Sequence, residues 1–140
     1  MNISFFNRLP LRKVVIGVND EAGQRAQQLI NNLLQDLPEA LLICVVDVHS
    51  GRLFAWYSAS AAYNPNRISL RNGKLLRLIT DTQATHAWLG GPLVDITVLL
   101  EDQFHCIRPL PQSTAYCFLA ARTDDVNLGI AKEIMRRHLE

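Results

Sequence analysis

The hydrophobic positions of the chain fall into wholly apolar runs and alternating runs. Leu41 to Val46 and Tyr116 to Ala121 are apolar at every position. A strand with one exposed face alternates apolar and polar residues, so a wholly apolar strand has both faces covered. These two runs are therefore predicted to be neighbouring central strands of a sheet that carries helices on both faces.

Three other segments have the pattern of strands. Leu53 to Ser58 follows turn residues and is predicted to be the hairpin partner of the first central strand. Phe104 to Leu110 is a further strand between short connections. Leu93 to Leu100 alternates and is predicted to be an edge strand. Its apolar face carries Val94, Ile96, Val98 and Leu100, and its other face is interrupted by Asp95 and Thr97.

Helical spacing of apolar residues occurs in three segments. The first runs from Asp20 to Leu37, where Pro38 ends it. The second runs from about Arg67 to Thr80, and the pattern leaves open an extension to Trp88. The third begins in the run from Asp124 to Gly129. The order of elements is helix, hairpin, helix, three strands, helix.

This order predicts an α/β fold, a three-layer sandwich in which helices cover both faces of a five-stranded antiparallel sheet. With the strands numbered along the chain, burial favours the sheet order 2-1-5-4-3. The domain is predicted to span residues 19–140, after an N-terminal arm of residues 1–18. The sequence does not decide whether Val14 to Val18 adds a short strand.

Composition and charge narrow the class of protein. The chain has 140 residues, of which 49% are hydrophobic and 19% charged, with a net charge of +1. These values are typical of a globular protein and argue against disorder and against nucleic acid as a partner. No apolar run is long enough to span a membrane. Cys44, Cys106 and Cys117 lie in apolar runs without metal-binding spacing, which indicates reduced thiols and a cytoplasmic protein.

The sequence contains no constellation typical of catalysis or metal binding. Asp47 ends a strand before a turn and Asp95 interrupts an edge strand, so turn-former and solvent-facing residue are better explanations than a carboxylate pair. The four histidines are scattered. Gly51 and Gly129 are single glycines, not a phosphate-binding loop. We therefore predict no catalytic residue, no metal and no cofactor.

An interaction surface is the stronger prediction. The edge strand contains neither lysine nor proline to discourage pairing with another strand. On the middle helix, two leucines lie outside the core-facing group among basic residues. The alternative is that exposed leucines and arginines are ordinary surface residues. The predicted interface consists of Arg67, Leu70, Arg71, Lys74, Arg77, Leu78, Val94, Asp95, Ile96, Thr97 and Val98.

Several short motifs in order resemble those of the roadblock/LC7 family, over about Asp20 to Leu139. They are Leu33 to Pro38, Cys44 to Asp47 with Ser50 to Ala55, Asp95 to Val98, Ile107 to Pro109 and Asn127 to Ile130. The chain departs from the family pattern in its long start and in the longer turn at Val48 to Ser50.

The resemblance implies a roadblock/profilin-like fold and a non-catalytic platform. Such proteins pair through the edge strand and middle helix, and they bind or regulate small Ras-like GTPases; bacterial stand-alone members include GTPase-activating proteins. By this resemblance the partners are a second copy of the chain and a small GTPase. If an arginine is supplied in trans, the candidates are Arg67, Arg71 and Arg77.

A different class of function stays open. Helix-flanked antiparallel sheets also serve as profilin-like scaffold modules or small-molecule sensors, since a fold does not fix a function. The sensor hypothesis predicts a ligand pocket near Trp56 or Trp88. An enzyme is the least favoured class, because the residues that would perform catalysis are missing from the sequence.

Overall fold

The structure is a computed structural model, and it describes residues 13 to 140. Phe5, Phe6 and Pro10 of the predicted arm lie outside the described residues. The strands are β1 (Val15–Ile16), β2 (Leu42–Asp47), β3 (Leu53–Ser58), β4 (Ile96–Leu99), β5 (Gln103–Pro109) and β6 (Ala115–Arg122). The helices are α1 (Glu21–Asp36), α2 (Pro65–Thr85) and α3 (Leu128–Leu139), with a short 3-10 helix at Ala87–Leu89.

All six strands belong to one antiparallel sheet in the order β1-β3-β2-β6-β5-β4. The predicted relative order of five strands is present, but the predicted strand number is wrong. Val15 pairs with Trp56 and Ile16 with Ala55, so β1 occupies the edge predicted for β3. A strand of two residues is too short to show alternation in the sequence, and only its pairing reveals it.

The helices divide between the two faces of the sheet. Helices α1 and α3 cover one face, where Ile30 and Met135 pack in the same cluster as Phe104. Helix α2 covers the other face, where Leu76 packs with Phe118. The two central strands are buried on both faces, as their wholly apolar sequences predict.

Each of the three α-helices begins at a side-chain cap. Asp20 accepts a hydrogen bond from the backbone N–H of Gly23, Asn64 from that of Asn66 and Asn127 from that of Ile130, at 2.9 to 3.0 Å. Helix α2 ends at Thr85, between the predicted end at Thr80 and the extension to Trp88 that the pattern left open.

Helix α2 lies very close to the turn between β2 and β3. A Cβ atom at Gly73 would stand 2.5 Å from the backbone oxygen of Val48. Glycine is required at this position because a side chain would push the helix off the turn. The close approach fixes where α2 crosses the sheet.

Within residues 13 to 140, no helix combines the length and the apolar character that crossing a bilayer requires.

Candidate interaction surface on helix α2 and strand β4

Strand β4 ends the sheet, and its outer edge is paired with no strand of the described residues. The backbone N–H of Leu100 donates a 2.8 Å hydrogen bond to the oxygen of Gln103, which closes the β4–β5 hairpin. Backbone groups of an antiparallel strand point alternately to its two sides. The backbone N–H and C=O groups of Thr97 and Leu99 therefore point away from β5. The predicted edge strand is present in shortened form, with a row of unpaired backbone groups.

The side chains around β4 separate onto the two faces of the sheet. Ile96 packs in the cluster beneath α2. Asp95 faces α3, where its Oδ1 lies 3.5 Å from Nζ of Lys132. Thr97 donates a 3.2 Å hydrogen bond to the same carboxylate. Of the predicted interface residues, Asp95 and Thr97 therefore lie on the face opposite to α2.

A groove separates α2 from β4. It has a volume of about 430 Å³, and we call it the β4 groove. Its lining residues are Arg71, Lys74, Leu75, Leu78 and Val98. The structure thus brings four predicted interface residues together and adds the half-buried Leu75. An apolar floor with two cationic side chains suits a protein contact.

Two predicted interface residues of α2 lie on the side of the helix that faces the β2–β3 turn, away from the β4 groove. Arg77 donates a hydrogen bond from Nη1 to the backbone oxygen of Val48. Leu70 packs on the β2–β3 turn, where a Cβ atom at Gly51 would stand 2.4 Å from Leu70 Cδ2. A helical wheel gives the angle of a residue but does not say which neighbour lies at that angle. Arg77 and Leu70 therefore do not line the β4 groove.

Arg67 borders a separate cavity beside the first turn of α2. This cavity has a volume of about 290 Å³, and we call it the Tyr63 cavity. Its walls include Tyr63, Arg67, Ile68, Gln103, His105 and Phe118. It opens beside the end of β4, because Gln103 bonds to Leu100.

His105 lines the Tyr63 cavity, and its pKa is shifted by its surroundings. Burial, and secondarily the charge of Arg71, lowers the pKa of His105 below its ordinary value. Its Nε2 lies 2.8 Å from Oε1 of Gln103. Its ring meets that of Phe118 edge to face, with centroids 5.3 Å apart. The imidazole is therefore held in place and is disfavoured in its charged form.

Most of the exposed apolar side chains belong to one continuous segment of the chain. Among the described residues, nine large hydrophobic side chains are exposed, and all but Ile130 belong to the segment from Tyr63 to Leu100. They are Tyr63, Leu70, Leu78, Trp88, Leu89, Val94, Leu99, Leu100 and Ile130. Trp88 is 79% exposed and was not assigned to the predicted interface, because the short segment around it has no periodicity. Exposed apolar side chains of this kind are candidates for contact with a partner.

The groups that were considered for catalysis have structural roles. The carboxylate of Asp47 accepts hydrogen bonds from Ser50 and Thr114 at 2.8 to 2.9 Å. Although burial alone would raise its pKa, these hydrogen bonds lower it. Within residues 13 to 140, no group of three or more His, Cys, Asp or Glu side chains could hold a metal ion.

Comparison with known proteins identifies the fold. No protein-family model matches the chain, and no curated protein matches it. Among solved structures, Myxococcus xanthus MglB aligns with a TM-score of 0.72 at 8% identity, over 86% of each chain. A roadblock/LC7 domain from Streptomyces avermitilis aligns with a TM-score of 0.63 at 12% identity, over 79% of this chain and 89% of that one. The chain has a roadblock/LC7 fold.

A further solved structure, MglB in a tetrameric arrangement, aligns with a TM-score of 0.68 at 18% identity over 94% of this chain and 93% of that one. The resemblance read from the short motifs is thus confirmed as a roadblock/LC7 fold. At these identities the likeness concerns the fold alone, and the partners of this chain must be argued from its own surface.

Proposed function

We propose that the chain is a non-catalytic homodimeric platform that binds and regulates a small Ras-like GTPase. The observation that carries the proposal is the unpaired edge of β4 beside the β4 groove. Three buried cysteines without disulfides fit a reducing compartment, and we place the platform in the cytoplasm.

The dimer forms through the edge of β4. A second copy pairs its own β4 antiparallel with the first, so that the backbone groups of Thr97 and Leu99 gain partners and one sheet runs through both copies. Antiparallel pairing about a twofold axis keeps both α2 helices on the same face. Leu78, which is 65% exposed, is then covered. The tetrameric arrangement of an MglB with the same fold is compatible with self-association.

The GTPase part of the proposal is supported by the roadblock/LC7 fold and by the basic character of α2. Arg67 and Arg71 are exposed, whereas Arg77 is partly buried and bonded to Val48. A regulator without catalytic residues stimulates hydrolysis by ordering the switch loops of the GTPase, with or without an arginine supplied in trans. If an arginine acts in this way, Arg67 and Arg71 are the better placed candidates.

The experiment is a pull-down from native cell lysate with the tagged chain, in parallel with GDP and with a non-hydrolysable GTP analogue. We expect a small GTPase, identified by mass spectrometry, to be enriched in one nucleotide state. The matched control is the double variant Arg67→Ala/Arg71→Ala, which should recover less of it. Failure to recover any small GTPase in either arm would remove the GTPase from the proposal and leave only the fold.

A small-molecule sensor is the second candidate, because a cavity of about 450 Å³ lies beside Trp56. Its walls also include Ser58, Tyr63 and Pro65. A sensor would change its tryptophan fluorescence when a ligand is added and would show no dependence on guanine nucleotide. Fluorescence titration with cell metabolite fractions therefore separates this candidate from the platform.

A further inference from the structure

We propose that Trp88 of each subunit inserts into the Tyr63 cavity of the partner subunit, so that the dimer is locked by two reciprocal aromatic anchors. This inference rests on the proposed homodimer and names a contact inside it. It assigns a role to the most exposed large hydrophobic side chain among the described residues.

Trp88 is exposed but held in position. It lies in the 3-10 helix Ala87–Leu89 directly after α2. Its ring meets that of His86 edge to face, with centroids 6.3 Å apart. The following loop is tied back to α2, because Nε2 of Gln83 donates a 3.0 Å hydrogen bond to the backbone oxygen of Gly91. An indole presented in this way loses little conformational freedom on binding.

The Tyr63 cavity suits an indole ring in size and chemistry. A cavity of about 150 Å³ accommodates benzene, and the Tyr63 cavity measures about 290 Å³. Phe118 and Ile68 supply apolar walls. Arg67 at the rim can lie against an aromatic face, where a guanidinium is attracted to the ring. Gln103 offers a polar group near the indole N–H.

The twofold geometry brings the anchor and the cavity together. Trp88 precedes the N-terminal end of β4, and the Tyr63 cavity lies at its C-terminal end, beside the Leu100–Gln103 bond. In an antiparallel pair, the N-terminal end of one β4 lies beside the C-terminal end of the other. Each Trp88 is therefore carried towards the cavity of the partner subunit, and the contact occurs twice.

The cavity cannot be filled by Trp88 of the same subunit. Helix α2 contains 21 residues and spans roughly 30 Å, with the cavity at its first turn and Trp88 beyond its last. Only a second copy can bring this side chain to the cavity.

The charges along α2 also favour antiparallel neighbours. Its N-terminal half carries Arg67, Arg71 and Lys74, while its C-terminal half carries one cation, Arg77, and the single acidic residue of the helix, Asp81. Antiparallel packing of two α2 helices places Asp81 of the partner subunit towards the basic half of the first. The arrangement that carries Trp88 to the cavity therefore also brings this acidic residue near the basic residues of the other helix.

Cross-linking tests the contact directly. The Trp88→Cys and Tyr63→Cys variants are mixed and treated with a short bismaleimide; only a contact between subunits can join the two different chains. We expect a cross-linked heterodimer, because the three native cysteines are buried and do not compete. The matched control replaces Tyr63→Cys by Ile130→Cys, which is exposed on α3 and should give no cross-link. An equal yield in both mixtures, or no yield in either, would overturn the proposal.

Sedimentation then separates this proposal from the dimer itself. Trp88→Ala is expected to raise the dimer dissociation constant by at least about 10-fold, and Ile130→Ala, another exposed apolar residue, is expected to leave it unchanged. A wild-type chain that stays monomeric at all concentrations would overturn the homodimer and the anchor together. A wild-type dimer that Trp88→Ala leaves equally tight would overturn the anchor alone.

Discussion

The hydroxyl group of Tyr116, at the centre of the sheet, donates a 2.7 Å hydrogen bond to the backbone oxygen of Ser69 in α2. Tyr116 is fully buried, and burial, then the neighbouring Cys44, raises the pKa of its phenol above the ordinary value. The phenol therefore stays protonated at neutral pH and acts as a hydrogen-bond donor. This bond and the close contact of Gly73 with Val48 position α2, and hence the β4 groove.

Replacing Tyr116 by phenylalanine removes this bond and keeps the ring. The free energy of unfolding should fall by about 1 kcal/mol, the net contribution of a typical buried hydrogen bond. Urea unfolding followed by circular dichroism measures the change. Tyr57→Phe, on the half-buried β3, is the control and should change stability by less than about 0.5 kcal/mol. Equal stability of wild type and Tyr116→Phe would show that the bond does not hold α2 in place.

Substitution of Thr97 tests the pairing of β4. Thr97→Pro deletes a backbone N–H on the outer edge and leaves the hydrogen bonds to β5 intact, so it should convert the dimer to a monomer. Thr97→Ala keeps the N–H and should remain dimeric. Light scattering coupled to size exclusion measures the mass of each variant. If both variants are dimers with unchanged dissociation constants, the interface lies elsewhere than on the β4 edge.

The sequence predicts best the elements in which every residue is buried, because each position is then apolar and the element stands out in the sequence. Strands β2 and β6 are apolar throughout because both faces are covered, and their central position follows from that alone. Strand β1 could not be predicted, since two residues carry no period and its identity depends on pairing with Trp56 and Ala55.

The lining of the β4 groove was predictable only in part, for a similar reason. Helical spacing separates core-facing from outward residues, so it placed Arg71 and Leu78 outside the core, where the structure has them beside the groove. It could not show that Arg77 reaches Val48, because that contact joins segments 29 residues apart. Trp88 follows α2 in a segment too short for any pattern, and only the structure shows its exposure.

The three cysteines should be unreactive in the folded protein. Burial, and secondarily nearby charge, raises the pKa of Cys106 to about 11 and that of Cys117 to about 12. Burial also raises the pKa of Cys44. Since the thiolate is the reactive form, no labelling by iodoacetamide is expected at neutral pH, and all three should label in denaturant. Mass spectrometry counts the labelled sites. Labelling of the native chain as rapid as that of the denatured chain would contradict the described core.

Loss of the basic residues on α2 should weaken GTPase stimulation without unfolding the chain. The mass of the variant is measured first, because Arg71 also lines the β4 groove and Arg67 the Tyr63 cavity, both of which belong to the proposed dimer contact. Arg67→Ala/Arg71→Ala is expected to lower the stimulated hydrolysis rate of the captured GTPase by at least about 10³-fold if either arginine acts in trans. If the chain only orders the switch loops, the rate constant at saturation stays the same and the binding affinity falls. Arg25→Ala, an exposed arginine of α1, is the control. Unchanged hydrolysis and unchanged affinity would exclude this surface as the GTPase contact.

His105 should make stability depend on pH in the mildly acidic range. Its pKa is lowered in the folded protein by burial and by Arg71, while in the unfolded chain it returns to about 6.5. Below that value the unfolded chain binds more protons than the folded one, so the free energy of unfolding falls as the pH decreases from about 7 to about 5. Above about pH 7.5 the residue is neutral in both states and contributes no slope.

His105→Gln should make the decrease between about pH 7 and about pH 5 shallower, as measured by urea unfolding at a series of pH values. Ile130→Ala, at an exposed position that does not titrate, is the control and should keep the wild-type slope. Asp47 and Glu133 have lowered carboxyl pKa values, so their main effect on the slope comes below about pH 5, where these carboxyls take up protons in the unfolded chain. A slope in His105→Gln as steep as in wild type would mean that the imidazole carries its proton as readily inside the Tyr63 cavity as in water.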